Sequence, residues 1–147
     1  MIKDTLTKEL VLTNVCCKTW RDAVGEAGKL LLENGKIKTE FIPSMIKVVE
    51  ELGPYMILLP KVCFFHGPPG DNVIEPCLSL IVFKDSIYFD DFDNQEIKCA
   101  FAFGATDSDS HMEMLKNVAS LLQNQEFVDL ITNNGSKEEI LEIIQNY

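Results

Sequence analysis

The sequence is short of positive charge. Thirteen Lys and Arg stand against 23 Asp and Glu, for a net charge of −10. The lysines are scattered singly rather than gathered into a patch. Such a surface repels a phosphate backbone, which argues against nucleic-acid binding. Long apolar runs are missing too. The longest, Met56–Pro60 and Leu78–Phe83, are the size of strands. Both fall far below the roughly 18–20 residues of a membrane span. The opening Met1-Ile2-Lys3-Asp4-Thr5 lacks the basic-then-apolar layout of a secretory signal. The expectation is a cytoplasmic protein with no direct membrane insertion. Repeats, low-complexity tracts and linkers are likewise absent, so the 147 residues are expected to form a single domain, 1–147. No G-x-S-x-G, P-loop or dinucleotide fingerprint occurs. Histidine is scarce, with only two copies.

What is there is ordinary globular material, 46% apolar and 24% charged, enough to build a core without staples. The five cysteines (16, 17, 63, 77 and 99) show no metal-ligand pairing and read as reduced, core-type thiols. Leu10-Val11-Leu12 suits a short first strand. Thr19-Trp20-Arg21-Asp22 is a capping-box pattern. Behind it Trp20, Ala23, Val24, Ala27, Leu30 and Leu31 recur at helical spacing until Asn34-Gly35. A second helix starts near Thr39, tolerates Pro43 in its first turn, buries Phe41, Met45, Val48, Val49 and Leu52, and stops at Gly53-Pro54.

The period then changes. Tyr55–Leu59 reads as a buried strand, and the proline- and glycine-rich stretch Pro60–Pro76 as largely loop. Cys77–Phe83 and Ile97–Phe103 read as strong strands, with a short Ile87–Phe89 strand and an acidic turn, Asp90–Glu96, between them. Helices return at His111–Leu122, Glu126–Thr132 and Ser136–Gln145, the last with a capping box of Ser136 and Glu139. The expected fold is α/β, with α+β as the alternative: a single-domain sandwich around a mixed sheet of about five strands flanked by helices.

Both histidines fall at strand ends, where α/β sheets gather ligands. His66 lies in the long loop, followed by the small residue Gly67. Read alone, its spacing fits a surface or packed histidine better than a site residue. His111 follows the third strong strand. Ser110 and Glu113 suit a capping box that would put His111 in the first turn, where helix amides favour an anion such as a phosphoryl group. Read alone, it fits a solvated first-turn residue better, with Ser and Asp merely capping the helix. Two further chemistries stay open: a Cys63–His66 nucleophile pair, and zinc held by both histidines with Asp107 or Asp109.

Taken together, four stretches resemble a known family. These are Trp20-Arg21-Asp22-Ala23-Val24 with Gly28 and Leu31; Gly53-Pro54-Tyr55-Met56-Ile57-Leu58-Leu59-Pro60; His66-Gly67; and Ala105-x-Asp107-x-x-x-His111. Their order and joint spacing resemble the enzyme IIA domain of the mannitol–fructose class of the bacterial sugar phosphotransferase system (PTS), nearest to the stand-alone ascorbate type. The chain departs from the usual pattern at Lys61, where the family has Gly, at Phe65, where it has Pro, and at Pro68, where ascorbate-type members carry Arg.

The resemblance implies a role for each histidine. His66 would take a phosphoryl group from the phosphocarrier protein HPr and pass it to a cysteine of enzyme IIB. The membrane enzyme IIC would then couple it to sugar uptake. His111 would stabilise the phosphoryl oxygens, helped by amides at Ser110–Met112. No cofactor or metal is implied. Phe64, Phe65, Pro68 and Pro69 would supply an apolar docking patch. The alternative is a diverged regulatory domain of the same fold that does not transfer the group onward.

Overall fold

The computed structural model describes residues 1–90 and 92–147, and of Pro54 the backbone alone. Asp91 of the expected acidic turn and the Pro54 side chain of the expected helix stop therefore lie outside the described residues. A short helix α1 (Ile2–Thr5) precedes β1 (Val11–Val15), α2 (Trp20–Glu33) and α3 (Phe41–Leu52). Three strands follow, β2 (Ile57–Leu59), β3 (Lys61–His66) and β4 (Cys77–Phe89), and then β5 (Gln95–Gly104). Helices α4 (Ser108–Leu122), α5 (Gln125–Thr132) and α6 (Lys137–Ile144) complete the chain.

The five strands form one mixed sheet in the order β1-β4-β5-β3-β2. β1 runs parallel to β4 and β3 parallel to β5, while β4–β5 and β2–β3 are antiparallel. Every residue from Cys77 to Phe83 is buried, as is every residue from Cys99 to Gly104. A continuous buried run means that both faces of the sheet are covered. α2 and α3 pack together on the sheet, and α4, α5 and α6 form a second helical group.

Helix starts follow side-chain chemistry. Thr19 and Asp22 form the expected reciprocal capping box of α2, and Ser136 and Glu139 that of α6. Trp20, Ala23, Val24, Ala27 and Leu31 of α2 are buried, as the helical spacing predicts, and Leu30 is half-buried. In α3, Phe41, Met45 and Val49 are buried, but Val48 is half-buried and Leu52 exposed. Gly53 ends α3 with φ at 62°, a left-handed conformation that glycine adopts without a Cβ penalty. On the sheet side of α2, the buried Ser79 of β4 donates its hydroxyl to the carbonyl oxygen of Ala27 at 2.8 Å.

Three sequence expectations need correction. The segment expected to be largely loop, Pro60–Pro76, contains the inner strand β3, with Val62, Cys63, Phe64 and Phe65 all buried. Its prolines sit at positions 60, 68, 69 and 76, so none interrupts the apolar run, and averaging over the segment hides the strand. Tyr55–Leu59 is not a buried strand. β2 is only Ile57–Leu59, at the sheet margin, and Tyr55 is 82% exposed. Ile87–Phe89 is not separate but continues β4 across a register shift between Val82 and Ile87.

Candidate functional site

β3 and β5 are parallel neighbours, so their C-terminal ends lie side by side. His66 is the last residue of β3 and pairs in register with Phe103 of β5. The chain leaves β5 at Gly104, and within a few residues it enters α4, which carries His111. Two histidines 45 positions apart thus meet at one end of the sheet, their ring centroids 5.5 Å apart in an edge-to-face arrangement at 69°. Each is half-buried.

The Nδ1 atom of His66 lies 3.2 Å from the carbonyl oxygen of Phe64. A carbonyl oxygen only accepts, so Nδ1 carries the proton and the neutral ring keeps its lone pair on Nε2. The orienting group is therefore main chain, supplied by the residue two positions earlier on the same strand. Burial lowers the His66 pKa below the ordinary imidazole value; the Phe64 carbonyl opposes this, and His111 adds to the lowering. Burial lowers the His111 pKa as well. Both rings are thus biased toward the neutral form, in which an imidazole is a nucleophile.

His111 Nδ1 is buried and has no hydrogen-bond partner among the described residues. Orphaned buried N–H groups are rarer in folded proteins than under-satisfied acceptors, which favours the neutral form with its proton on Nε2. That form makes His111 a donor through Nε2.

The start of α4 differs from the expected one. Asp107, not Ser110, is the N-cap. Its carboxylate accepts from the Ser110 amide at 2.8 Å, and the Ser110 hydroxyl accepts from the Asp107 amide at 3.3 Å. The His111 amide is already bonded to the Asp107 carbonyl oxygen at 3.1 Å. The amides of Ser110 and His111 are therefore committed inside the helix. Asp107 and Ser110 both suit a cap, and Asp107-x-x-Ser110 lacks the Glu or Gln that usually marks a capping box.

Other expected site residues do not join the pair. Cys63 is fully buried, and burial pushes its thiol well above the ordinary value, which leaves no thiolate for catalysis. Asp107 is tied up as the cap, and Asp109 is exposed. Among the described residues, no three His, Cys, Asp or Glu side chains gather closely enough to hold a metal ion. Phe64 and Phe65 are core residues and cannot form the expected docking patch; Pro68 and Pro69 are exposed, and so is Met112, next to His111. A polar hollow of about 560 Å³, ringed by Thr13, Asn14, Asn134 and the start of α6, carries neither imidazole. No helix among the described residues is long and apolar enough to cross a membrane.

Comparison with known proteins bears on this arrangement. The ascorbate-specific PTS system EIIA component of Shigella boydii is 26% identical over 128 residues, covering 86% of this chain and 83% of that protein. The solution structure of the mannitol-specific cryptic phosphotransferase enzyme IIA of Escherichia coli superposes with a TM-score of 0.88 at 24% identity, covering 99% of both chains. Enzyme IIA of mannitol in complex with phosphorylated enzyme IIB, also from Escherichia coli, gives a TM-score of 0.83 at 16% identity, covering 97% of this chain and 98% of that one. These structural likenesses establish the fold that the sequence resemblance implied. Residues 4–147, nearly the whole chain, match the family described as phosphoenolpyruvate-dependent sugar phosphotransferase system, EIIA 2, and the protein belongs to that family of phosphoryl carriers.

Proposed function

We propose that His66 carries the phosphoryl group, on Nε2, and that His111 donates a hydrogen bond to its oxygens. The donor is the phosphocarrier protein HPr and the acceptor a cysteine of enzyme IIB, with the membrane enzyme IIC completing sugar uptake. The protein works in the cytoplasm. The sugar is of the ascorbate or mannitol–fructose class, by likeness to the relatives named above.

One observation carries this reading: the Phe64 carbonyl holds the Nδ1 proton of His66 and leaves the lone pair on Nε2, beside the second imidazole. In the first step the Nε2 lone pair attacks phosphorus as the bond to the donor's ring nitrogen breaks. Nδ1 keeps its proton, and the Phe64 carbonyl oxygen that accepts from it helps to offset the positive charge that the ring acquires. In the second step a thiolate of enzyme IIB attacks phosphorus, the P–N bond breaks, and the neutral ring returns. Phosphoryl transfer depends mainly on positioning and charge stabilisation. The His111 Nε2–H supplies the hydrogen bond, and the chain's net charge of −10 makes a local donor valuable.

The test is to incubate the protein with labelled phospho-HPr and follow label onto the chain and on to enzyme IIB. The His66→Ala variant should take up no label. His111→Ala should be labelled about a hundredfold more slowly or worse, as is typical on losing one donor to developing charge. Label on the His66→Ala protein would overturn the assignment. Uptake without onward transfer would mean a regulatory domain instead.

A further inference from the structure

Phe103 touches every part of the site and is assigned no role by the reading above. Its ring centroid lies 5.0 Å from that of His66 and 5.0 Å from that of His111. It also stacks on Phe64 at 4.6 Å with an interplanar angle of 20°. Phe64 is the residue whose carbonyl holds His66 Nδ1. One fully buried ring therefore contacts the nucleophile, the second imidazole and the residue that sets the tautomer.

We propose that Phe103 is the positioning residue of the site, a wedge whose ring fixes the separation and rotation of the two imidazoles. This inference rests on the assignment of His66 as phosphoryl acceptor. Phe103 lies directly across the parallel pair from His66, so its place is set by the β3–β5 register rather than by a loop. With imidazole centroids 5.5 Å apart and each 5.0 Å from the benzyl ring, the three rings form a nearly equilateral cluster. In such a cluster, neither imidazole can turn toward the sheet without meeting the third ring. The wedge also keeps water from the inner edges of both imidazoles, where water would compete with the Phe64 carbonyl for the Nδ1 proton. Burial is the largest cause lowering both pKa values, in keeping with an apolar wall on that side.

The neighbouring Phe101 provides an internal control. It is equally buried, lies on the same strand and face, and packs edge-on against Phe64 at 6.0 Å. No contact joins its ring to either imidazole among the ring pairs of the described residues. Phe103→Leu and Phe101→Leu should lose comparable stability, since each removes one core ring. Only Phe103→Leu should alter the histidines. The nitrogen shifts of His66 should move from a single Nδ1–H form to a mixture, its titration midpoint should rise, and transfer from phospho-HPr should slow by about tenfold or more.

These nitrogen spectra are recorded on the unphosphorylated protein. They judge Phe103 even if label were to settle elsewhere than on His66, an outcome that would fail the functional assignment alone. An unchanged His66 tautomer and midpoint in Phe103→Leu would overturn the inference. So would equal changes in Phe101→Leu. A third measurement on the unaltered protein does not depend on any variant folding: nuclear Overhauser contacts should join the Phe103 ring protons to both imidazoles. Their absence would also overturn it.

Discussion

The amide of His111 is bonded to the carbonyl oxygen of Asp107 at 3.1 Å, which makes His111 the first residue of α4 with a full helical hydrogen bond. The second imidazole therefore rides on a capped turn, not on a frayed one. Its position depends on Asp107, whose carboxylate closes the cap on the Ser110 amide and lies below its ordinary pKa because of those bonds. Asp107→Ala should loosen that turn and lower the thermal midpoint. Transfer from phospho-HPr should slow, but by less than the roughly hundredfold that a displacement of about 1 Å brings. Asp107→Asn keeps an equally good cap and should behave as the unaltered protein. Equal slowing in the two variants would show that charge, not capping, is what Asp107 provides.

The acid side of the rate profile should follow the lowered imidazoles. An ordinary histidine titrates near 6.5, and both His66 and His111 lie below that value. Neutral His66 therefore persists as pH falls through 6.5, and its nitrogen shifts should show the Nδ1–H form still dominant there. The same shifts set a stability trend. Folded, each ring binds its proton less readily than unfolded, so between the two pKa values the unfolded chain holds more protons. Stability should be fully present above the unfolded value of about 6.5, decline as pH falls below it, and level off beneath the folded pKa. Urea denaturation across this range should show that decline, and a variant lacking both histidines should show less of it.

Much of this architecture is written locally in the chain, and the exceptions have physical causes. The caps Thr19–Asp22 and Ser136–Glu139 announce their helices because the bonds involved span only three residues. The apolar runs of β4 and β5 are equally visible. β3 is not, because flanking prolines disguise a run that contains none. The meeting of His66 with His111 is not a local property either. It depends on the parallel pairing of β3 with β5, which no periodicity encodes, so local pattern does not specify that the two rings meet. The group that orients His66 left no signal at all. It is a backbone carbonyl, and every residue has one.

Thiol chemistry should sort the cysteines by burial. Cys16 is exposed and Cys17 half-buried, while Cys63, Cys77 and Cys99 are buried. Burial, with the Glu26 and Asp22 carboxylates, raises the Cys17 thiol to about 11; burial raises Cys77 to about 12 and pushes Cys63 and Cys99 up as well. Alkylation proceeds through the thiolate. With iodoacetamide at mildly alkaline pH, mass mapping should find Cys16 modified first and the three buried thiols only after denaturation. Early modification of Cys63 or Cys99 would mean that the centre of the sheet opens readily.

The residue after His66 has no room to grow. A Cβ on Gly67 would stand 2.6 Å from Ser44 Oγ and 2.9 Å from the Phe41 ring. Ser44 cannot swing aside freely, because its hydroxyl donates to the Phe41 carbonyl oxygen at 2.6 Å. Phe41 is fully buried on α3. The tightness is one of packing, and Gly67→Ala should cost about 1–3 kcal/mol in urea denaturation, as overfilled sites do. It should also slow phosphoryl uptake if His66 is the acceptor proposed above, since relief comes most easily by shifting the backbone just beyond that residue. Ser44→Ala alone forfeits one hydrogen bond, about 1 kcal/mol. Combined with Gly67→Ala, it removes the nearest clash. The double variant should therefore be more stable than the sum of the single losses predicts, by about 0.5–1 kcal/mol, a coupling expected of residues in contact. Strict additivity would show that the Phe41 ring, not the Ser44 hydroxyl, sets the limit at Gly67.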